Sequence, residues 1–316
     1  QSLSLIDFRK WQDQQKWAIV KYHFENNKFF KNKMKGSLPE SWDEIPFMEK
    51  KDFQNDISKL LSIGYSKKNC YISNTSGSSG TPMFFAKDKK AHSMDWALIK
   101  NRYSWHDIKL NSKQARFYGI PLKKWTFFNE KIKDFVMNRD RFSIYDLSDK
   151  VLGVYLNRFK RIKYEYIYGY TNSLVLFARF LIKNKIILSE VCPSLKCCIT
   201  TSEILTSHDK EILIQGFGVK IINEYGTSEC GQLAMEDCEG KWLLSDETTY
   251  FEIIKNSHND HGKIVVTDLD NKAMPFIRYN IGDIGKISNY NSKNGLNREL
   301  VSLYGRENDI IYLPSG

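Results

Sequence analysis

Between Leu195 and Tyr225 the chain passes through a short apolar stretch, an amphipathic stretch and a second apolar stretch, and this order restricts the fold more than any other feature. Leu195-Lys196-Cys197-Cys198-Ile199-Thr200-Thr201 reads as a strand, residues 207–216 as a helix, and Val219-Lys220-Ile221-Ile222-Asn223-Glu224-Tyr225 as a second strand. Strand, helix, strand at this spacing argues a parallel sheet, because parallel neighbours need a crossover that a tight turn cannot supply. Residues 91–104 and 150–185 read as further helices, the second containing the apolar run Ser173 to Ile182. Residues 1–40 scatter Trp11, Trp17, Val20, Tyr22, Phe29 and Phe30 among Lys, Gln and Asn, a pattern of amphipathic helix and loop. In the last third, Tyr250 to Ile254, Gly262 to Asp268 and Gly285 to Ser288 are short strands between Asn, Asp and Gly turns, which predicts an antiparallel sheet or small barrel. The expected organisation is α/β: a helical segment over 1–45, an α/β core over 46–245 with mixed and parallel sheets flanked by helices, a β-barrel-like subdomain over 246–304, and a terminal string over 305–316.

Composition removes several classes of protein. The 316 residues carry Lys+Arg 47 against Asp+Glu 37, a net charge of +10, with 41% hydrophobic residues. So small a charge over so long and apolar a chain excludes disorder as the main state, and the length suits one large or two modest domains. The lysines are dispersed and no helix-turn-helix, zinc-finger or RNA-recognition string is present, so nucleic acid is not the expected partner. An anion-rich substrate also favours a positive surface. Ser173 to Ile182 is interrupted by Arg179 and falls short of the roughly 18 residues a bilayer span needs, so no membrane span is expected. The six cysteines contain no C-x-x-C pair, and reduced thiols are expected. Gln1 is not a methionine and no apolar signal core follows, which reads as a fragment of a longer cytoplasmic chain.

Four strings bear on chemistry. The small-residue run Thr75-Ser76-Gly77-Ser78-Ser79-Gly80-Thr81-Pro82 lies between strand-like ends. Composition alone makes it a linker, but its place between apolar segments suits a phosphate-cradling loop, without the Gly-Lys-Ser/Thr ending of the P-loop. Asn223-Glu224-Tyr225-Gly226-Thr227-Ser228-Glu229 closes a predicted parallel strand, where open α/β sheets bind ligands. Its aromatic ring could stack on a base, its hydroxyls contact a phosphate and its carboxylate hold Mg²⁺; the plain alternative is a strand-to-turn junction. Met274 to Asp283 and Gly305-Arg306-Glu307-Asn308-Asp309-Ile310-Ile311 offer a carboxylate for ribose hydroxyls and an arginine for charge, or else turns with a surface ion pair.

In order and spacing these strings resemble those of the adenylate-forming enzymes, the superfamily of acyl-CoA synthetases, nonribosomal adenylation domains and luciferases. Within it the chain is most similar to the phenylacetate-CoA ligase family, in its CapK-like branch of capsule and surface-polysaccharide biosynthesis. Branch-level matches are Tyr168-Gly169-Tyr170-Thr171-Asn172-Ser173-Leu174, Thr200-Thr201-Ser202-Glu203-Ile204-Leu205 and Pro314-Ser315-Gly316, and the resemblance covers roughly residues 45–316.

The resemblance implies the fold of the large N-terminal domain of such an enzyme and assigns roles. Thr75, Ser76, Gly77, Ser78, Ser79, Gly80 and Thr81 would hold the β- and γ-phosphates of ATP. Ser202 and Glu203 would line the adenine pocket, with Tyr225 against the base between Glu224 and Gly226. Ser228 would contact the α-phosphate, Glu229 would ligate Mg²⁺, Asp283 would bind the ribose and Arg306 would assist. Tyr118, Tyr168 and Tyr170 would line the acid pocket. The implied reaction joins a carboxylic acid to AMP with release of pyrophosphate, then transfers the acyl group to CoA or to an amine or sugar. A carboxylate is already ionised at neutral pH, so alignment and charge neutralisation suffice and none of the six histidines needs a catalytic role. The alternative is a nucleotide-binding scaffold without catalysis. Three departures follow. Asn308 stands at the hinge position, where relatives often carry Asp or Lys. Cys238 remains from the zinc set of some relatives, but Trp242 replaces the aligned histidine and residues 294–299 hold no cysteine, so zinc is not expected. The chain stops at Gly316, just after the hinge string, so the family's small C-terminal domain is expected to be absent and turnover of this chain slow.

Overall fold

A computed structural model describes residues 4–75, 82–119, 124–255, 260–290 and 296–307, without the side chains of 124–129. In chain order the helices and strands are α1 (Leu5–Asn26), α2 (Lys28–Lys33), β1 (Tyr71–Asn74), β2 (Phe84–Lys87), α3 (Lys89–Ser104), β3 (Gln114–Tyr118), α4 (Lys124–Val136), β4 (Arg139–Ser143), α5 (Asp149–Arg161), β5 (Tyr166–Tyr170), α6 (Thr171–Lys183), α7 (Leu188–Val191), β6 (Cys197–Thr201), α8 (Ser207–Phe217), β7 (Lys220–Thr227), β8 (Gly231–Glu236), β9 (Trp242–Leu244), β10 (Thr249–Lys255), β11 (Gly262–Asp268), β12 (Tyr279–Ile287) and β13 (Leu300–Arg306). Two compact units emerge: residues 1–98, 226–234 and 242–316 form the first, and 99–225 with 235–241 the second.

The first unit holds α1, which starts on the Ser4 side chain accepting the Asp7 N–H at 3.1 Å. His23 on this helix is buried, with Nδ1 3.1 Å from Ser62 Oγ and Nε2 2.9 Å from the Asn271 carbonyl, and burial pushes its pKa down to about 4. It is a packing residue. β1 and β2 pair as an antiparallel hairpin, the strand-like ends expected around the small-residue loop. β10, β11, β12 and β13 pair in that order as a four-stranded antiparallel sheet.

The second unit is built on parallel strands ordered β4-β3-β5-β6-β7, crossed over by helices, as the 195–225 pattern predicts. The expected helix over 150–185 is corrected here: it is two helices, α5 and α6, with β5 between them. Tyr166-Ile167-Tyr168-Gly169-Tyr170 is aromatic and β-branched at the positions a strand favours, and it lies between β3 and β6. A Cβ on Gly169 would stand 2.7 Å from Phe117 Cβ, so the central strands approach closely there.

Side chains alternate across this sheet. Ala115, Phe117, Ile167, Cys198 and Ile221 face one way, packing with Leu156, Phe159, Leu174, Phe177, Leu213 and Phe217 from α5, α6 and α8 in the main core. Tyr166, Cys197, Ile199 and Ile222 face the other way and pack with Tyr103 and Ile108. On that second face Arg116, Tyr118, Tyr168, Tyr170 and Glu224 lie further along the same strands, toward their carboxyl ends.

Candidate active site

The expected site residues fall into two groups, one in each unit. In the first unit Thr75 closes the hairpin: its N–H donates to the Met83 carbonyl at 2.9 Å and its Oγ1 accepts the Met83 N–H at 3.2 Å. Ser76, Gly77, Ser78, Ser79, Gly80 and Thr81 lie outside the described residues, as does Asn308. In the Tyr-Gly-Thr-Ser-Glu string, Gly226 is dictated by close backbone approach, since a Cβ there would stand 2.5 Å from the Gly231 carbonyl oxygen. Thr227 Oγ1 accepts the Cys230 N–H at 3.0 Å, which turns the chain so that Ser228 is exposed and Glu229 buried. The Tyr279 hydroxyl donates to Glu229 Oε1 at 2.9 Å. Burial, then the Glu229 carboxylate, drive the Tyr279 phenol far above its ordinary pKa, so this O–H stays a donor. Tyr279 is not among the expected site residues, although it lies within the Met274 to Asp283 string.

Asp283 is buried and meets Arg306 directly across the β12–β13 ladder, with Arg306 Nε 3.1 Å from Asp283 Oδ1. Arg306 Nη1 also donates to the Ile281 carbonyl at 2.7 Å. Gly282, at φ +81°, bends the strand ahead of Asp283, and its N–H is taken by Asn280 Oδ1 at 3.0 Å. The pair expected from two distant strings is thus one ion pair across neighbouring strands.

In the second unit the three expected pocket tyrosines come together. Tyr118 and Tyr170 have ring centroids 4.4 Å apart, and Tyr118 and Tyr168 6.5 Å apart. Tyr168 Oη donates to Glu224 Oε1 at 2.9 Å, and Tyr103 Oη lies 3.4 Å from Glu224 Oε2. Burial first and the Glu224 carboxylate next raise both phenols well above the ordinary range. Glu224 therefore points to the tyrosine face, whereas its neighbour Tyr225 is buried from the opposite side of the strand. Ser202 and Glu203 follow β6 as exposed residues, Ser202 at φ +70°. The Glu203 carboxylate accepts the Asn172 N–H at 2.7 Å, and its carbonyl accepts Thr171 Oγ1 at 3.2 Å, so this acid caps the start of α6.

Arg116 was missed. Its guanidinium carbon lies 4.4 Å from the Tyr118 ring centroid and 5.0 Å from that of Tyr168. The signal was present in Gln114-Ala115-Arg116-Phe117-Tyr118, where period-two alternation puts Arg116 on the face of Tyr118.

The fold is that of the large N-terminal part of the adenylate-forming ligases. A 2-hydroxyisobutyryl-CoA ligase, solved in complex with 2-HIB-AMP and CoA, superposes with a TM-score of 0.73 at 15% identity, covering 97% of this chain and 71% of that one. ATP-bound MatB from Rhodopseudomonas palustris superposes at 0.51 with 14% identity, over 79% of this chain and 50% of that one. Among curated sequences, Protein CapK of Staphylococcus aureus is similar at 24% identity, over 96% of this chain and 69% of CapK. No protein-family model matches the chain. No helix of the described residues is long and apolar enough to cross a membrane.

Proposed function

We propose that this chain is the adenylating part of an AMP-forming carboxylate ligase. The observation that carries the reading is the second parallel strand of the opening pattern ending in Tyr225-Gly226-Thr227-Ser228-Glu229, with Glu229 held by Tyr279, in a chain with the fold of acyl-AMP-forming ligases. In the reaction a carboxylate oxygen of the acid forms a bond to the α-phosphorus of ATP as the bond from that phosphorus to the pyrophosphate oxygen breaks. No proton moves, so the protein has to align the two anions and offset their charge.

The residues present suit those tasks. Thr75 begins the small-residue string that would hold the β- and γ-phosphates, and the exposed Ser228 would donate to the α-phosphate. Asp283, fixed by Arg306, offers a carboxylate to the ribose hydroxyls, and Ser202, Glu203 and Tyr225 serve the adenine. Glu229 fits Mg²⁺: Tyr279 takes Oε1, and among the described residues no donor takes Oε2. When bound, the metal would neutralise phosphate charge. Tyr118, Tyr168 and Tyr170 shape the acid pocket. As the resemblance to the CapK-like branch implies, the chain would serve surface-polysaccharide biosynthesis in the cytoplasm, with CoA, an amine or a sugar receiving the acyl group.

The test is exchange of labelled pyrophosphate into ATP across a panel of carboxylic acids. Acid-dependent exchange, lost by at least about a hundredfold in Glu229→Ala, is the expected outcome. MgATP binding without exchange for any acid would move the chain to the scaffold alternative, and no MgATP binding by calorimetry would end the nucleotide reading.

A further inference from the structure

Most cations around the parallel sheet have acidic partners. Arg139 and Arg141 are tied to Asp134 and Glu130, Lys113 and Arg158 to Asp140, and Lys196 to Asp107 and Glu165. Arg116 is different: among the described residues its side chain makes no ion pair and no hydrogen bond, and its Nε, like those of Arg102 and Arg278, is buried without an acceptor. The residues outside that set contain one acidic side chain, Asp309. The guanidinium lies over the Tyr118 and Tyr168 rings, but a ring face gives its five N–H groups no lone pair to donate to. Arg116 is half-buried: Nε is shut off from water while the Nη groups stay accessible, so an unpaired charge with open donors faces this side of the sheet.

The surroundings say what that ligand is. Arg116 sits directly across from Tyr168 midway along the β3–β5 ladder, on the same face as Tyr118 and Tyr170, which end these strands on the side where open α/β sheets take their ligands. The nearby Glu224 carboxylate receives the hydroxyls of Tyr168 and Tyr103, so it is held by tyrosines rather than by Arg116. What remains is a planar, charged fork beside the Tyr118 and Tyr168 rings, the kind of group that recognises a carboxylate through two parallel hydrogen bonds.

We propose that Arg116 binds a second carboxylate on the tail of the acid, so that the substrates of this ligase are dicarboxylic acids. The inference rests on the ligase reading: one carboxylate reacts at the α-phosphorus, and the other docks on Arg116 between Tyr118, Tyr168 and Tyr170.

The test compares matched acids with MgATP on this chain, by calorimetry and by pyrophosphate exchange: succinate against butyrate, glutarate against valerate, and 4-carboxyphenylacetate against phenylacetate, with 4-hydroxybutyrate as a neutral polar control. At least one diacid is expected to exceed its monoacid by about tenfold or more in kcat/KM, and 4-hydroxybutyrate to behave as butyrate does. In Arg116→Met the diacid-to-monoacid ratio should fall to near one, and Arg116→Lys should restore part of it; MgATP affinity reports whether each variant is folded. Monoacids matching diacids in every pair, the neutral control matching succinate, or a preference that survives in a folded Arg116→Met would overturn the inference. Should Arg116→Met fail to bind MgATP, the wild-type acid pairs and Arg116→Lys decide. Exchange with monoacids but no diacid preference removes this inference and leaves the ligase reading standing; no exchange with any acid removes both.

Discussion

Arg278 in the first unit and Arg116 in the second both set a guanidinium with a buried Nε against aromatic rings, Arg278 buried and Arg116 half-buried, yet their partners differ. Arg278 donates from Nη1 to the carbonyls of Trp42, Asp43 and Ile45, at 3.1, 3.1 and 2.8 Å, pairs through Nη2 with Glu252 at 3.0 Å, and lies over Phe47. It ties the segment before β1 to the four-stranded sheet. Arg116 has the Tyr118 and Tyr168 rings beside it and, among the described residues, no acceptor for its N–H groups. Both leave Nε buried without an acceptor, so an orphaned Nε does not by itself mark function. What separates the two is the charge: Arg278 has Glu252 and three carbonyls at its Nη atoms, whereas among the described residues Arg116 has no acid and no carbonyl there.

The strongest way to break the comparison is to remove each cation and measure stability. Arg278→Met leaves Glu252 without its counter-charge in a buried position and three carbonyls without their donor, which is expected to cost about 3–5 kcal/mol in urea unfolding. Burial already raises the Glu252 pKa despite Arg278, so protonation of this acid on loss of the arginine should accompany the effect.

A second contrast separates the units by pH. In the first, burial raises the Asp268 pKa to about 6, although Lys87 opposes the shift. A carboxyl whose folded value lies above its unfolded value stabilises below about pH 4, and that contribution is lost as pH rises through 6. Relative to Asp268→Asn, the wild type should therefore lose on the order of 3 kcal/mol between pH 4 and 7. In the second unit Asp134 runs the other way. Burial pushes it up, but hydrogen bonds from Arg141 and Arg139 outweigh burial and hold it below the usual range, so its contribution is present at neutral pH and lost as pH falls. Unfolding curves of Asp268→Asn and Asp134→Asn that shift in the same direction with pH would contradict this.

Gly169→Ala probes the sheet that carries the tyrosine face. The new methyl would meet Phe117 Cβ at 2.7 Å and the Phe117 carbonyl at 2.8 Å, so β3 and β5 must separate, at about 1–3 kcal/mol in thermal or urea unfolding. The smallest stability effect is expected at Arg116→Met, about 1 kcal/mol or less, because only the ring contacts are lost. Equal destabilisation by Arg278→Met and Arg116→Met would erase the distinction between the two sites.

The elements legible in the sequence were those whose local pattern and tertiary role agree. The 195–225 succession appears as β6, α8 and β7, and the hairpin around the small-residue loop as β1 and β2. β5 was hidden because the apolar run of α6 follows it without a break and the charged α5 precedes it, so one long helical pattern covers three elements. β3 and β4 gave little signal, since Gln114 to Tyr118 and Arg139 to Ser143 carry several polar groups whose partners, such as Asp134, lie elsewhere in the chain. At the site, Asp283 and Arg306 were legible as separate strings, but their pairing needed the β12–β13 register.

The sequence by itself determined the α/β class, the positions of the small-residue loop and the Tyr-Gly-Thr-Ser-Glu string, and the resemblance to adenylate-forming ligases. These depend on residue type and local spacing, which a linear pattern carries. Only the tertiary structure decided that Tyr279 holds Glu229, that Glu203 caps α6, and that Arg116 lies beside tyrosines with no acceptor among the described residues. Those facts depend on which strands become neighbours and on which polar groups the packing leaves unmatched, and hydrogen-bond completion is a property of the assembled fold rather than of any segment.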